Sequence, residues 1–288
     1  MITGTFGALF IGGIVAILFS GVVTSQAFSY FKNSSGDGPA VKALAICVWG
    51  LDFFHSIWVT IALWDHLIAH FGEAGRIDYI PWSLALTIAF TAILTFLVHL
   101  FFVYRIYKLS HGNLYICLPL ALMACGRLCF ACLTTAKMIQ LRSLSRFVQL
   151  YTFSFTSGLS LSSALDILIT SCMCYLLARN QKANSSMNHV LDKLMLYTFE
   201  NGSLTCAATL ASLICWLTNK SNLIFMGLHF VISKFYANSF YATLNARKDI
   251  QRPTHRSNQS SSTERDHAVV FPDNFRKPSF NFLGLSLA

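Results

Sequence analysis

Charge is what this sequence lacks. Of 288 residues only 11% are Asp, Glu, Lys or Arg, against 55% hydrophobic. Water-soluble domains carry about a quarter charged residues, so a surface this poor in charge excludes an ordinary soluble fold and points to lipid as the solvent. Cysteine is missing from every polar loop: all nine fall inside apolar runs, which argues against a disulfide framework. Internal repeats and a pair of Gly/Pro-broken apolar segments are also absent, which removes the usual pointers to an inverted-repeat transporter. There is no HExxH, no nucleophile elbow and no close carboxylate pair on one helix, so the reading is of a protein that is not an enzyme and has no cofactor.

Long apolar runs are abundant. Seven span roughly Phe6–Phe31, Ala43–Ile68, Trp82–Tyr104, Leu114–Ala136, Phe155–Ala178, Leu194–Leu217 and Leu223–Ala246. About twenty apolar residues cross the hydrocarbon core as a helix. Barrel strands would alternate with a period of two, and these continuous runs do not. The first run lacks a basic leader and is too long for a secretory segment, so it reads as a retained helix. The expected fold is an all-α, integral membrane seven-helix bundle over residues 1–248, followed by a disordered cytoplasmic tail, 249–288.

Lys and Arg near the run ends set the expected orientation. Lys32, Lys42, Arg105, Lys108, Arg179, Lys182 and Lys193 fall on one side with the tail's Arg247, Lys248, Arg252, Arg256 and Arg265; Arg76, Lys137, Arg142, Arg146 and Lys220 fall on the other. The N-terminus is therefore expected outside and the C-terminus in the cytoplasm, as an integral multi-pass protein of the plasma membrane. The net charge of +9 becomes a juxtamembrane feature that favours anionic inner-leaflet lipid near the tail. With no aromatic–basic platform outside the helices, nucleic acid is not an expected partner. The connection Lys137–Ser154 is the longest expected loop, and none is large enough for a soluble domain. Of the glycosylation sequons, only Asn219 falls outside, close to the membrane; those at Asn33, Asn184, Asn201 and Asn258 should stay unmodified.

Four ionisable residues lie well inside these runs: Asp52, Arg127, Asp166 and Lys234. Each costs roughly 2.5–3.5 kcal/mol at mid-bilayer on insertion scales, and two cations with two anions at similar depth imply mutual pairing. Lys234, Asn238, Tyr241 and Asn245 recur at i, i+4, i+7 and i+11, one stripe of a helix, with Asp52 or Asp166 as the expected partner of the ammonium. His55 shares a face with Asp52 and joins that cluster. Asp52, His55, Arg127, Asp166, Lys234 and Asn238 thus form the candidate buried polar or ligand site, alongside the plainer reading of a pair that fixes helix packing. His99 and Glu200 are expected near the inner rim, within reach of water. His66 and His70, four apart, could share a metal but more simply meet headgroups, and no metal site is expected. Small residues four apart (Gly12, Ala16, Ser20, Thr24; Ala121, Cys125, Cys129; Ser203, Ala207, Ala211, Cys215; and Gly158, Ser162, Thr170 beside Asp166) are expected to let helices approach closely.

The segments "ALDILITSCMCYLL", "LMLYTFENGSLTC" and "SKFYANSFYATLNARK" closely resemble the C-terminal signature of a large fungal, mainly basidiomycete, family of seven-helix membrane proteins classed as a domain of unknown function. "GALFIGGIVAILFSGVVTSQAFSYF" and "LFFVYRIYKLSHGN" resemble its first and third helices. The resemblance runs from residue 1 to about 250 and implies the architecture, not an activity. The function classes left open are a receptor-like or sensor protein with an unknown ligand or cytoplasmic partner, a transporter or channel using the buried charges, and a structural scaffold. Against an animal-type receptor, the third run ends "FFVYRIYKL" without Asp-Arg-Tyr, and the last lacks Asn-Pro-x-x-Tyr. Against a retinal pigment, the third run has no carboxylate to serve as counter-ion to Lys234.

Overall fold

The computed structural model describes residues 2–251, apart from 35, 74, 75, 77, 184–187 and 219–222. The tail with most of its basic residues, and the Asn184, Asn219 and Asn258 sequons, lie outside the described residues. Among the described residues seven α-helices follow one another: α1 (Ile2–Lys32), α2 (Pro39–Trp64), α3 (Trp82–Leu109), α4 (Leu114–Leu141), α5 (Leu144–Ala183), α6 (Asn188–Thr218) and α7 (Ile224–Gln251). A π-helical turn, Asp65–Ala69, extends α2. Among the described residues there is no strand, only an isolated bridge between Tyr79 and Ser143. α1 to α6 are each long and apolar enough to cross a membrane. Each neighbouring pair packs together, and α1 against α7 closes the ring, while α3 and α7 also touch across it.

The helices divide by what surrounds them. α1, α2 and α4 turn large side chains such as Phe10, Leu18, Phe53, Phe54, Leu118 and Leu122 outward, as lipid-facing helices must. α7 instead meets α1, α2, α3 and α6. Phe230, Ile232, Tyr236, Ala237, Phe240 and Tyr241 are buried around its circumference. A helix packed on protein rather than lipid can carry polar residues, and its lower hydropathy follows from that position. The backbones of α1 and α7 approach closely: a Cβ on Gly12 would overlap the backbone of Gly227, and one on Gly227 the carbonyl of Ala8. With lipid outside, such close packing supplies much of the association energy.

Two expectations about packing are corrected. The span 137–154 is not a loop: α4 continues to Leu141 and α5 starts at Leu144, with a kink at Tyr151. The reason is local, because Leu144 and Phe147 lie one turn apart and are buried against the cluster around Phe155 and Trp216, while Ser143 Oγ accepts from Arg146 N–H at the helix start. Nor do all the small-residue ridges face other helices. Cys125, Cys129, Ser203 and Ala207 are exposed. On α6 the inward stripe is Thr205, Thr209 and Ser212, and Gly202 packs on Thr170. A ridge of small residues is as compatible with lipid as with a partner helix, so spacing alone does not choose between them.

The buried apolar side chains form two clusters rather than one. One gathers Val23, Val48, Leu94, Ala124, Leu165 and Ile232. The other gathers Ala16, Val59, Ile88, Met138, Leu159 and Val231. Between these limits on α1 to α5 lie Ser20, Asp52, Thr91, Arg127 and Ser162, with Lys234 one turn from the break on α7. The bundle is therefore two apolar halves separated by a polar layer.

Candidate functional site

On the α1–α2–α7 side of that layer, Lys234 and Asp52 form a closed ion pair. Lys234 Nζ donates to Asp52 Oδ1 at 2.9 Å, to the Asp52 carbonyl at 3.0 Å and to Ser56 Oγ at 2.7 Å. An ammonium has three donors, and all three are used. Asp52 Oδ2 accepts from Ser20 Oγ at 2.6 Å, and Ser56 Oγ lies 3.0 Å from Ser20 Oγ. Lys234 is 0% and Asp52 1% exposed. A buried pair is tolerated only when its geometry is good and the remaining donors and acceptors are satisfied, and here they are. His55, one turn on from Asp52, brings Nδ1 to 3.3 Å from Ser233 Oγ, while its Nε2 has no partner.

A second group joins α3, α5, α6 and α7 around Asp166. Its Oδ1 lies 3.2 Å from His99 Nε2. Its Oδ2 accepts from Tyr236 OH at 2.7 Å and from Thr209 Oγ1 at 3.3 Å. Ser162 Oγ is 3.0 Å from Tyr236 OH, and Ser163 donates to Thr209 at 3.2 Å. His99 is fully buried and not at a wet rim as expected: the partner supplied by Asp166 allows it to be inside. A cavity of about 20 Å³ adjoins this group, bordered by His99, Asp166, Thr205 and Tyr236. That is room for one water molecule, which needs about 10–15 Å³.

Arg127 does not complete the expected four-charge pairing. It is 7% exposed, and no carboxylate lies within ion-pair distance of it among the described residues; both oxygens of Asp166 are engaged elsewhere. Arg127 instead borders a cavity of about 30 Å³ between α3, α4, α5 and α7, opposite His229. Asn238 joins neither group, and its buried Oδ1 has no partner. The rest of its stripe ties α7 to the bundle: Tyr241 OH donates to the Ala45 carbonyl at 2.6 Å and Asn245 to the Gln26 carbonyl at 3.0 Å.

The residues sequence reasoning missed are Ser20, Ser56, Thr209, Tyr236 and His229. Hydroxyls in an apolar helix are common and give no signal alone. His229, Ser233, Tyr236 and Phe240 do form a second stripe at i, i+4, i+7 and i+11, beside the Lys234 stripe, and that spacing was available.

At the Asp78 end of the bundle, Arg76 pairs with Asp65 at 3.2 Å and lies over the Tyr79 ring at 3.9 Å. His66 Nδ1 meets the Ala62 carbonyl at 3.0 Å and is buried against Phe6, so it faces neither headgroups nor a shared metal with His70, which turns to Asp65. No group of three metal-ligating side chains occurs among the described residues. All nine cysteines are free.

Six apolar spans packed around interior charge define a multi-pass α-helical membrane protein. Residues 162–249, from the middle of α5 through α7, match the model of a family of unknown function, DUF6534. No curated protein and no solved structure matches the chain. The matched segment holds Asp166, Thr209, Tyr236 and Lys234, so much of the polar layer lies within it.

Proposed function

We propose that this is a receptor-like or sensor membrane protein in which α7 is a seventh span, the N-terminus lies outside and the C-terminus lies in the cytoplasm of a fungal plasma membrane. The basic residues gathered at one set of helix ends support the orientation, and the resemblance of the α5–α7 segments supports the origin. One observation carries the functional reading. The Lys234–Asp52 and Asp166 groups form separate clusters whose charged atoms are bonded within the chain, and the spaces beside the layer, about 20 and 30 Å³, are too small for an organic solute. Such clusters hold helices in one register. A sensor needs a packing with defined contacts that a ligand or partner can exchange for another. On this reading the chain binds and signals and does not catalyse, and its partner is a ligand or a cytoplasmic protein.

The transport reading draws on the buried Asp166–His99–Tyr236 chain, whose groups all exchange protons. Ion and proton flux through purified protein in liposomes, under an imposed gradient, separates the two. The sensor reading expects no flux above empty liposomes. Flux abolished by Asp166→Asn or Lys234→Met would overturn it and make the polar layer a pathway.

A further inference from the structure

We infer that the cavity between α3, α4, α5 and α7 is an internal binding site for one small monovalent anion of halide size, held by Arg127. Arg127 Nε and Nη1 are buried and have no hydrogen-bond partner, and the same holds for both ring nitrogens of His229 and for Thr91 Oγ1. All three residues border one cavity. They are at least nine-tenths buried, at 7%, 5% and 0% exposed. Arg127, His229 and Thr91 come from three different helices, so the unpartnered groups converge on the space from several sides.

The chemistry favours an anion over water alone. A guanidinium cannot shed its charge and offers only donors. No acidic side chain borders the cavity. The fourth polar lining group, Thr134, is already within 3.4 Å of Ser154 Oγ. A neutral imidazole adds one donor and one acceptor and a hydroxyl a further donor, so with the guanidinium the N–H and O–H groups outnumber the unpartnered ring nitrogen and the balance inside favours an acceptor. A water supplies two acceptor sites but brings two hydrogens that need acceptors of their own. An anion accepts from every side and offsets the guanidinium charge in a medium where charge is weakly screened. Volume favours a small ion: about 30 Å³ holds two water-sized spheres, at about 10–15 Å³ each, which suits a halide with one water better than sulfate or phosphate. Buried cations are otherwise paired, as Lys234 is, whereas Arg127 keeps Nε and Nη1 without an acceptor. This inference is independent of the sensor reading, since a resident anion serves a sensor, a transporter or a scaffold equally.

The test is equilibrium dialysis of the purified full-length protein, in detergent and gluconate buffer, against radiolabelled chloride. Saturable binding of one chloride per chain is expected, displaced by bromide and not by sulfate. Arg127→Gln should abolish it. Because that variant could fail to fold, Thr91→Val serves as the second: removal of one hydroxyl should weaken chloride about five- to tenfold with the bundle intact. Absence of saturable chloride binding to the wild-type protein would mean that the cavity holds water only and would overturn the inference. So would displacement by sulfate, or a Thr91→Val protein that binds chloride as the wild type does.

Discussion

Replacing Lys234 by Met removes the one cation beside Asp52 while keeping the length of the side chain. The ammonium's three hydrogen bonds disappear, and the Asp52 carboxylate, 1% exposed, is left with Ser20 as its donor. Breaking one side of a buried pair costs about 3–5 kcal/mol, because the remaining charge is stranded. The loss should therefore be about 3–5 kcal/mol. Reversible unfolding in mixed micelles of increasing denaturing-detergent fraction measures it. The double variant Asp52→Leu, Lys234→Met removes both charges and should be no less stable than either single variant, since an apolar replacement leaves nothing stranded. A cost below about 1 kcal/mol for Lys234→Met, or a double variant that loses the sum of the two single losses, would refute the closed-pair account.

Two further outcomes follow from the ends and the seam of the bundle. Gly227→Leu should destabilise by about 1–3 kcal/mol, because any side chain there meets the Ala8 carbonyl and drives α1 from α7; equal melting temperatures for variant and wild type would show that the seam yields freely. Burial alone would raise the Asp78 pKa, but donation from Ser143 Oγ and Ser145 N–H, both at 2.7 Å, together with Arg146, more than offsets this and holds the carboxyl below its ordinary value. The stabilisation is thus present above the ordinary carboxylate range and lost as pH falls through the lowered value. Asp78→Asn should flatten that acid limb of the melting curve, and an unchanged limb would show that Asp78 does not hold the α4–α5 turn.

How far the sequence foretold this arrangement differs between the apolar and polar parts. Apolar length placed the helices within a few residues, because lipid demands an unbroken run whatever the packing. It failed at 144–150, where Leu144 and Phe147 are spaced as a helix but sit among Ser143, Ser145 and Arg146, and so read as a loop. The stripe Lys234, Asn238, Tyr241, Asn245 marked the inward face of α7, since a lysine in mid-membrane has no other tolerable place. Which carboxylate it meets was not legible. Asp52 and Asp166 lie at comparable depth, and the choice depends on α7 standing next to α1 and α2 with Ser20 and Ser56 completing the cage. The assignment of His99 to a wet rim failed for the same reason: depth along one helix says nothing about the side chain that arrives from another.

Two cations of the polar layer show what distinguishes a structural charge from a ligand site. Arg127 sits at the break between the apolar halves and Lys234 one turn from it, and both are at least nine-tenths buried. Around Lys234 the fold brings a carboxylate, a carbonyl and a hydroxyl, one acceptor for each donor. Around Arg127 it brings a histidine, a threonine and an apolar wall, and the nearest acidic group of the layer, Asp166, is turned to Tyr236, Thr209 and His99. Were Arg127 present only to balance the charge of Asp166, the shortest solution would be a direct pair, which the fold does not make. Its position beside a water-sized space with unpartnered donors is instead what a site for a small acceptor requires. The layer therefore has one half that is complete within the chain and one half that is completed from outside it.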